Sequence, residues 1–417
     1  MDIRITPSQL YGGIEAPASK SDAHRLLICS ALADKPTVID LDKTSTDIDA
    51  TIECMRAMGA SIEYKCGEYI VEPIKAPPER PLLDCKESGS TLRFLLPVAS
   101  VVCGGARFLG GGRLPERPLE GLIEVMESGG VLFSGHRLPF EMKGRLNSGA
   151  YEIAGDVSSQ YISGLMLALP LASGDSRIIL TSRLESAAYV DMTLHAQRRF
   201  GVIILKNGNA LEMEGGQRYR SPDKAAVEGD WSNAAFFLTA GALGGPVTVK
   251  GLAEDSVQGD SAVEQILRDF GASAASSGGS VKVSARELSG RTVDVSAIPD
   301  LLPILAVAAA FAEGETRFVN AARLRLKESD RLRTTASMLT SLGGGVTELD
   351  DGLLVRGGGL TGGETESFGD HRIAMAASIA AAYSKNPTTI RHAEAVRKSY
   401  PTFFEDFAKL GGRYEEI

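Results

Sequence analysis

Apolar and polar positions along this chain are grouped in blocks that return about every 70 residues. Six stretches are apolar almost all the way round and rich in small residues, the mark of helices buried on every side. They are KSDAHRLLICSALA from Lys20, GSTLRFLLPVASVV from Gly89, SSQYISGLMLALPLA from Ser158, DWSNAAFFLTAGAL from Asp230, DLLPILAVAAAFA from Asp300 and DHRIAMAASIAAAY from Asp370. Their starts are 69 to 72 residues apart. Each is followed by a helical segment that ends in glycine, at Gly59, Gly130, Gly201, Gly271, Gly343 and Gly411, spaced by 68 to 72 residues. Two independent landmarks with one period identify six copies of one unit.

Between the helices lie short segments rich in Val, Ile and Thr and bounded by glycine, such as SIEYKCGEYIVEP, RIILTS, GPVTVKG and GLLVRGG, which read as strands. Each unit is therefore strands plus two helices, one buried and one amphipathic, and the fold class is α/β. Six units make two pseudo-symmetric halves of three. The natural junction is near Ala226 to Gly229, after the polar turn RYRSPDK. The N-terminal strand belongs with the second half, because the first full unit begins only at Lys20. One domain is thus expected to comprise residues 1–13 and 228–417, the other residues 14–227. Crossovers near 13–19 and near 227 would act as a hinge.

Composition narrows the function. At 417 residues the chain is long enough for two to three domains, and 43% of it is hydrophobic. A net charge of −9 argues against a nucleic-acid or anionic-membrane surface, so any anion must be held by a local cationic pocket. Five cysteines (29, 54, 66, 85 and 103) without metal-type spacing read as reduced, mostly core thiols. MDIRITPSQL has no apolar signal region, and the longest strongly apolar run, Leu301 to Ala312, is too short to span a bilayer. A soluble cytoplasmic protein is expected. The histidines lack metal-ligand spacing, and no phosphate-loop, dinucleotide or nucleophile-elbow motif occurs.

Candidate chemistry concentrates in NAARLRLKESDRLR, Asn320 to Arg333. Arg323, Arg325 and Lys327 alternate with leucines at the period of a strand, which would put three cations on one face. LRTTASMLTSLG then reads as a helix, with Arg331 in its first turn, where the helix dipole disfavours a cation. An anion site accounts for this massing, and so does a solvated charged edge strand. The buried helices begin at equivalent places, so their N-termini should cluster as anion sites. Ser158, Ser159, Asp230, Asp300 and Asp370 are each also ordinary helix caps. Arg25 and Arg93, inside apolar helices, need partners.

Taken in order, Lys20 to Arg25, Ser88 to Arg93, Glu116-Arg117-Pro118, Ser158-Ser159-Gln160, Lys327 to Arg331, Asp370-His371-Arg372 and Lys398 resemble the EPSP synthase family of enolpyruvyl transferases over essentially the whole chain. The resemblance implies a two-domain inverse α/β barrel, three repeats per domain, with the active site in the cleft between. It implies transfer of the enolpyruvyl group of phosphoenolpyruvate to the 5-hydroxyl of shikimate 3-phosphate, on the route to chorismate. By this resemblance Lys20, Ser21, Arg25, Ser158, Ser159, Gln160, Ser186 and Tyr189 hold shikimate 3-phosphate from one half, and Asp300, Arg323 and Lys327 from the other. Lys20, Gly89, Arg117, Gln160, Arg331, Arg372 and Lys398 hold phosphoenolpyruvate. Asp300 is implied as general base, and Glu328, or in its place Lys20, as the group that protonates the methylene carbon. No metal or cofactor is called for. Two halves complete one cleft, so a monomer that closes on shikimate 3-phosphate is expected, with glyphosate as an inhibitor.

The chain departs from the family pattern at Glu87, often Asn; Phe94, often Pro or Leu; Arg323, often Asn; and Ala187-Ala188, usually a cation followed by Pro. One rival is the sister transferase acting on UDP-N-acetylglucosamine, expected to carry a cysteine in the loop before Arg117, where GGGRLPER has none. Another is a non-catalytic anion-binding relative, expected to lack Asp300 or Glu328.

Overall fold

The computed structural model describes residues 1–417. Its α-helices are α1 (Lys20–Ala31), α2 (Thr46–Ala57), α3 (Gly89–Cys103), α4 (Glu120–Ser128), α5 (Ser159–Ala168), α6 (Ala187–Arg199), α7 (Trp231–Leu243), α8 (Val263–Phe270), α9 (Leu302–Phe311), α10 (Arg331–Ser341), α11 (His371–Tyr383) and α12 (Phe403–Lys409). The odd-numbered six are the all-round apolar stretches of the sequence. In α9 every residue from Leu302 to Ala310 is buried, and in α7 every residue from Trp231 to Ala242. Each buried Leu, Ile or Phe contributes roughly 1.5–3 kcal/mol. The even-numbered helices bury one stripe; in α8 it is Val263, Leu267 and Phe270, at helical spacing.

The strands form six four-stranded sheets of one design. Leu82–Asp84 pairs parallel with Gly105–Leu109, which pairs antiparallel with Phe140–Lys143, which pairs antiparallel with Leu132–Phe133. A parallel pair needs a crossover connection, and the buried helix α3 provides it. The helices pack closely. Pro97 has no N–H to give the carbonyl of Arg93, and that carbonyl faces Gly164 of α5, where a Cβ would overlap it.

The chain divides into two compact units, Ala18–Val227 and Met1–Pro17 with Glu228–Ile417. Each has its own hydrophobic core. In the first unit, Lys224–Ala226 pairs parallel with Thr37–Asp40 to complete the first repeat's sheet. In the second, Gly12–Glu15 pairs parallel with Val247–Lys250. Ile3–Thr6 lies between Thr388–Arg391 and Arg413–Glu416, antiparallel to both. The first break therefore falls after Pro17 rather than after residue 13, because Gly12–Glu15 is a strand of the second unit.

The alternation of Arg323, Arg325 and Lys327 does not make a strand. The strand of that repeat ends earlier, at Glu315–Val319. Asn320 then takes a left-handed conformation, φ 59°, which asparagine tolerates better than most residues. Its side chain donates to Asp294 at 2.8 Å, and the next residues form a 3₁₀ turn, Ala322–Leu326. The three cations consequently diverge.

Candidate active site

In the unit of residues 1–17 and 228–417, the charged groups gather around the first turn of α10. Asp330 caps this helix by accepting from the backbone N–H of Arg333 at 3.1 Å. That places Arg331 at the first helical position with its side chain directed inward, 1% exposed. Its guanidinium donates through Nε to Asp370 at 2.8 Å, through Nη2 to Glu328 at 2.7 Å, and through Nη1 to Asp300. Burial works against its charge, yet Asp370, Glu328 and Asp300 hold it well above the usual arginine range. Ser329 donates to the same Asp370 at 3.0 Å.

Asp300 gathers three cations, Arg331, Lys327 and Arg372. It sits in the 3₁₀ turn Pro299–Leu301 ahead of α9 and does not cap that helix, unlike Asp230 and Asp370, which cap α7 and α11. Lys327 Nζ is 3.6 Å from its Oδ1, and Arg372 Nη2 is 3.5 Å from its Oδ2. Burial lowers the Lys327 pKa, against the pull of Asp300. Arg372, buried at the start of α11, also donates to Asn233 Oδ1 at 3.4 Å and lies over the Phe236 ring. Asn233 in turn donates to Ser399 Oγ at 3.1 Å. Next to Ser399, Lys398 donates to the carbonyl of Gly369 at 2.8 Å, just before Asp370. Of the three alternating cations, Lys327 is the one that pairs with Asp300. Arg323 is turned to the carbonyl of Ser296, and Arg325 pairs with Asp330 and Glu348.

In the unit of residues 18–227, the helix starts carry the polar groups. Ser19, Ser88 and Ser158 cap α1, α3 and α5 through their hydroxyls. Lys20 pairs with Asp47 at 2.9 Å. Gln160 donates to Ser90 at 2.9 Å, which ties the first turn of α5 to that of α3. Gly89 lies under two guanidinium groups; a Cβ there would come within 2.5 Å of Arg117 and 2.6 Å of Arg93. Arg93 donates to the carbonyls of Gly89 and Pro118, with the Tyr161 ring alongside.

Arg25 is buried and directs every nitrogen to the protein. It donates to Thr193 Oγ1 at 2.8 Å, to the carbonyls of Ser21 and Tyr189, and to Ser163 Oγ at 3.5 Å. Burial pushes its pKa down to about 10. Phe94, one of the departures from the family pattern, lies under that guanidinium at 5.0 Å. Ser186, at the start of α6, has φ 51°, a strained position for a residue with a side chain. Glu87, the one acidic departure, lies against Gly112 in the loop leading to Arg117.

Cations that share carboxylates can bind an anion in exchange, and carboxylates held by cations can accept or deliver protons. The sequence did not single out Asp47 or Asn233. Asn233 had a signal, an amide inside the apolar WSNAAFF. Asp370 was visible as a helix cap and within the motif Asp370-His371-Arg372, and it is both cap and ion-pair partner.

Comparison with known proteins gives one answer. The family model for EPSP synthase (3-phosphoshikimate 1-carboxyvinyltransferase) matches residues 5–407. The 3-phosphoshikimate 1-carboxyvinyltransferase of Clostridium novyi is 41% identical, with 100% of this chain and 98% of that protein aligned. That of Clostridium acetobutylicum is 43% identical, with 99% of this chain and 98% of that protein aligned. A solved EPSP synthase from Acinetobacter baumannii superposes with a TM-score of 0.83 at 28% identity, covering all of both chains. The enolpyruvyl transferase NikO from Streptomyces tendae, 19% identical, shares the fold with a TM-score of 0.83 over 100% of this chain and 98% of its own.

Proposed function

The chain belongs to the EPSP synthase family, and on that premise we propose how its residues divide the work of the reaction. The reaction itself transfers the enolpyruvyl group of phosphoenolpyruvate to the 5-hydroxyl of shikimate 3-phosphate, giving 5-enolpyruvylshikimate 3-phosphate and phosphate. Shikimate 3-phosphate is held by Lys20, Ser21, Ser158, Ser159, Gln160, Ser186 and Tyr189, and by Asp300, Arg323 and Lys327. Arg25 serves it by fixing the backbone of Ser21 and Tyr189, whose carbonyls accept from its guanidinium. Phosphoenolpyruvate is held by Lys20, Gly89, Arg117, Gln160, Arg331, Arg372 and Lys398. Both substrates carry a phosphate and a carboxylate, and planar guanidinium forks suit such groups.

Asp300 takes the proton of the 5-hydroxyl as that oxygen bonds to C2 of phosphoenolpyruvate. Glu328 delivers a proton to C3, giving a tetrahedral ketal phosphate. Breaking the C2–O bond to phosphate and removing a proton from the C3 methyl restores the vinyl group. One observation carries this assignment: a single buried guanidinium, Arg331, holds both Asp300 and Glu328. Lys20 is the competing donor. The cations around Glu328 favour its ionised form, so the bound dianions must offset them before it can give up a proton. The protein works as a monomer, and glyphosate competes with phosphoenolpyruvate.

The test is phosphate release from phosphoenolpyruvate, with shikimate 3-phosphate and UDP-N-acetylglucosamine offered separately. Release is expected only with the first, and Asp300→Ala and Glu328→Gln should each lower kcat by about 10²–10⁴-fold. Release only with the second would overturn the substrate assignment. A Glu328→Gln enzyme of normal rate would move the donor role to Lys20. Millimolar glyphosate without effect on the rate would remove the inhibitor.

A further inference from the structure

Beyond the residues assigned above, the same unit buries one more carboxyl beside them. Asp260 lies in the 3₁₀ turn Gly259–Ala262 ahead of α8 and is 3% exposed. Its Oδ2 accepts from the hydroxyl of Ser232, while its Oδ1 is enclosed without a hydrogen-bond partner. A buried ionised carboxylate with one oxygen unmet is costly. Three elements face it. The start of α7 brings Asp230 and Ser232; the start of α11 brings Arg372; and the turn Pro299–Leu301 brings Asp300. Burial first, then the charge of Asp300, pushes the carboxyl up to about 7, against the Ser232 hydroxyl and Arg372. Ser232 and Asn233 are consecutive, so the residue that holds Asp260 adjoins the residue that holds Arg372.

We propose that Asp260 is a positioning residue that works while it keeps its proton: neutral, it leaves the Arg372 guanidinium to Asp300 and phosphoenolpyruvate, and ionised, it competes for that guanidinium. The inference rests on the reading that Arg372 holds phosphoenolpyruvate. Its sign follows from linkage. The folded carboxyl keeps a proton that the unfolded chain gives up near its model value of 3.8. Stability therefore falls as pH rises between the unfolded and folded values, and the full cost is present above about 7. Asparagine cannot ionise, so Asp260→Asn should gain thermal stability on the wild type as pH is raised through that window. The KM for phosphoenolpyruvate should rise in the wild type relative to the variant by about tenfold between acidic and basic limits, the effect of one unit charge acting on Arg372 through a partly buried surrounding. Taking the ratio of the two enzymes cancels the ionisation of the substrate's own phosphate. Ser232→Ala removes the hydroxyl that favours the ionised form, so its inflection should move to higher pH.

A constant stability difference across the window would overturn the proposal. So would a stability difference that changes while the KM ratio stays flat and Arg372→Lys raises KM, because Asp260 would then titrate without reaching the site. An unchanged KM in Arg372→Lys would overturn the role of Arg372 and this inference with it.

Discussion

Arg331 touches three carboxylates with three nitrogens, and two of those carboxylates are proposed to move protons. Removing the guanidinium leaves Asp300, Glu328 and Asp370 facing one another, so Arg331→Met should destabilise the protein by about 3–5 kcal/mol, read from urea unfolding at neutral pH. Arg331→Lys keeps the charge but cannot reach three partners from one ammonium, and it should recover only part of that loss. A full recovery would show that charge, and not the planar fork, is what matters there. Much of this was legible in the sequence. A cation in the first turn of a helix whose dipole opposes it already asked for anionic partners. What could not be read was that Asp300 and Asp370 would join the neighbouring Glu328, because Asp370 comes from the next repeat and the three meet only in the folded unit. Asp260 was invisible for the same reason.

At the level of elements, the six-fold repeat was readable because a helix with no polar face must be buried, and all six such stretches are buried helices. The stretch from Arg323 to Lys327 was misread because alternating leucines imitate a strand when only the local pattern is seen. The deciding residue was Asn320, whose left-handed turn stops the strand at Val319. The pairing of α3 with α5 was equally hidden, since it depends on the missing side chain of Gly164 opposite the carbonyl freed by Pro97. Gly164→Val should therefore force these helices apart and cost about 1–3 kcal/mol, measured as a lower urea midpoint. The helix starts of α3 and α5 carry Gly89 and Gln160, so the KM for phosphoenolpyruvate should rise in the same variant. A KM that stays put would mean that the helix starts are held independently of the helix bodies.

For the molecule as a whole, the two units differ in how the chain supplies them. Ala18–Val227 is one continuous segment with its own core and every strand of its three sheets. The other unit borrows Ile3–Thr6 and Gly12–Glu15, and Ile3, Ile5, Leu10 and Ile14 are part of its core. A fragment of residues 18–227 should unfold cooperatively in urea by itself. A fragment of residues 228–417 should not, until a peptide of residues 1–17 is added. Cooperative unfolding of that second fragment alone would show that the borrowed strands are dispensable. The same arrangement sets an order of assembly on the ribosome. At roughly 5–20 residues per second, Ile3–Thr6 waits on the order of 20–80 s for the partners at Thr388–Arg391 and Arg413–Glu416 to emerge. Meanwhile the continuous unit can finish folding behind it. During synthesis, therefore, the N-terminal arm is a bare apolar strand with unpaired edges, and it is the segment of this protein that a nascent-chain chaperone would have most reason to cover.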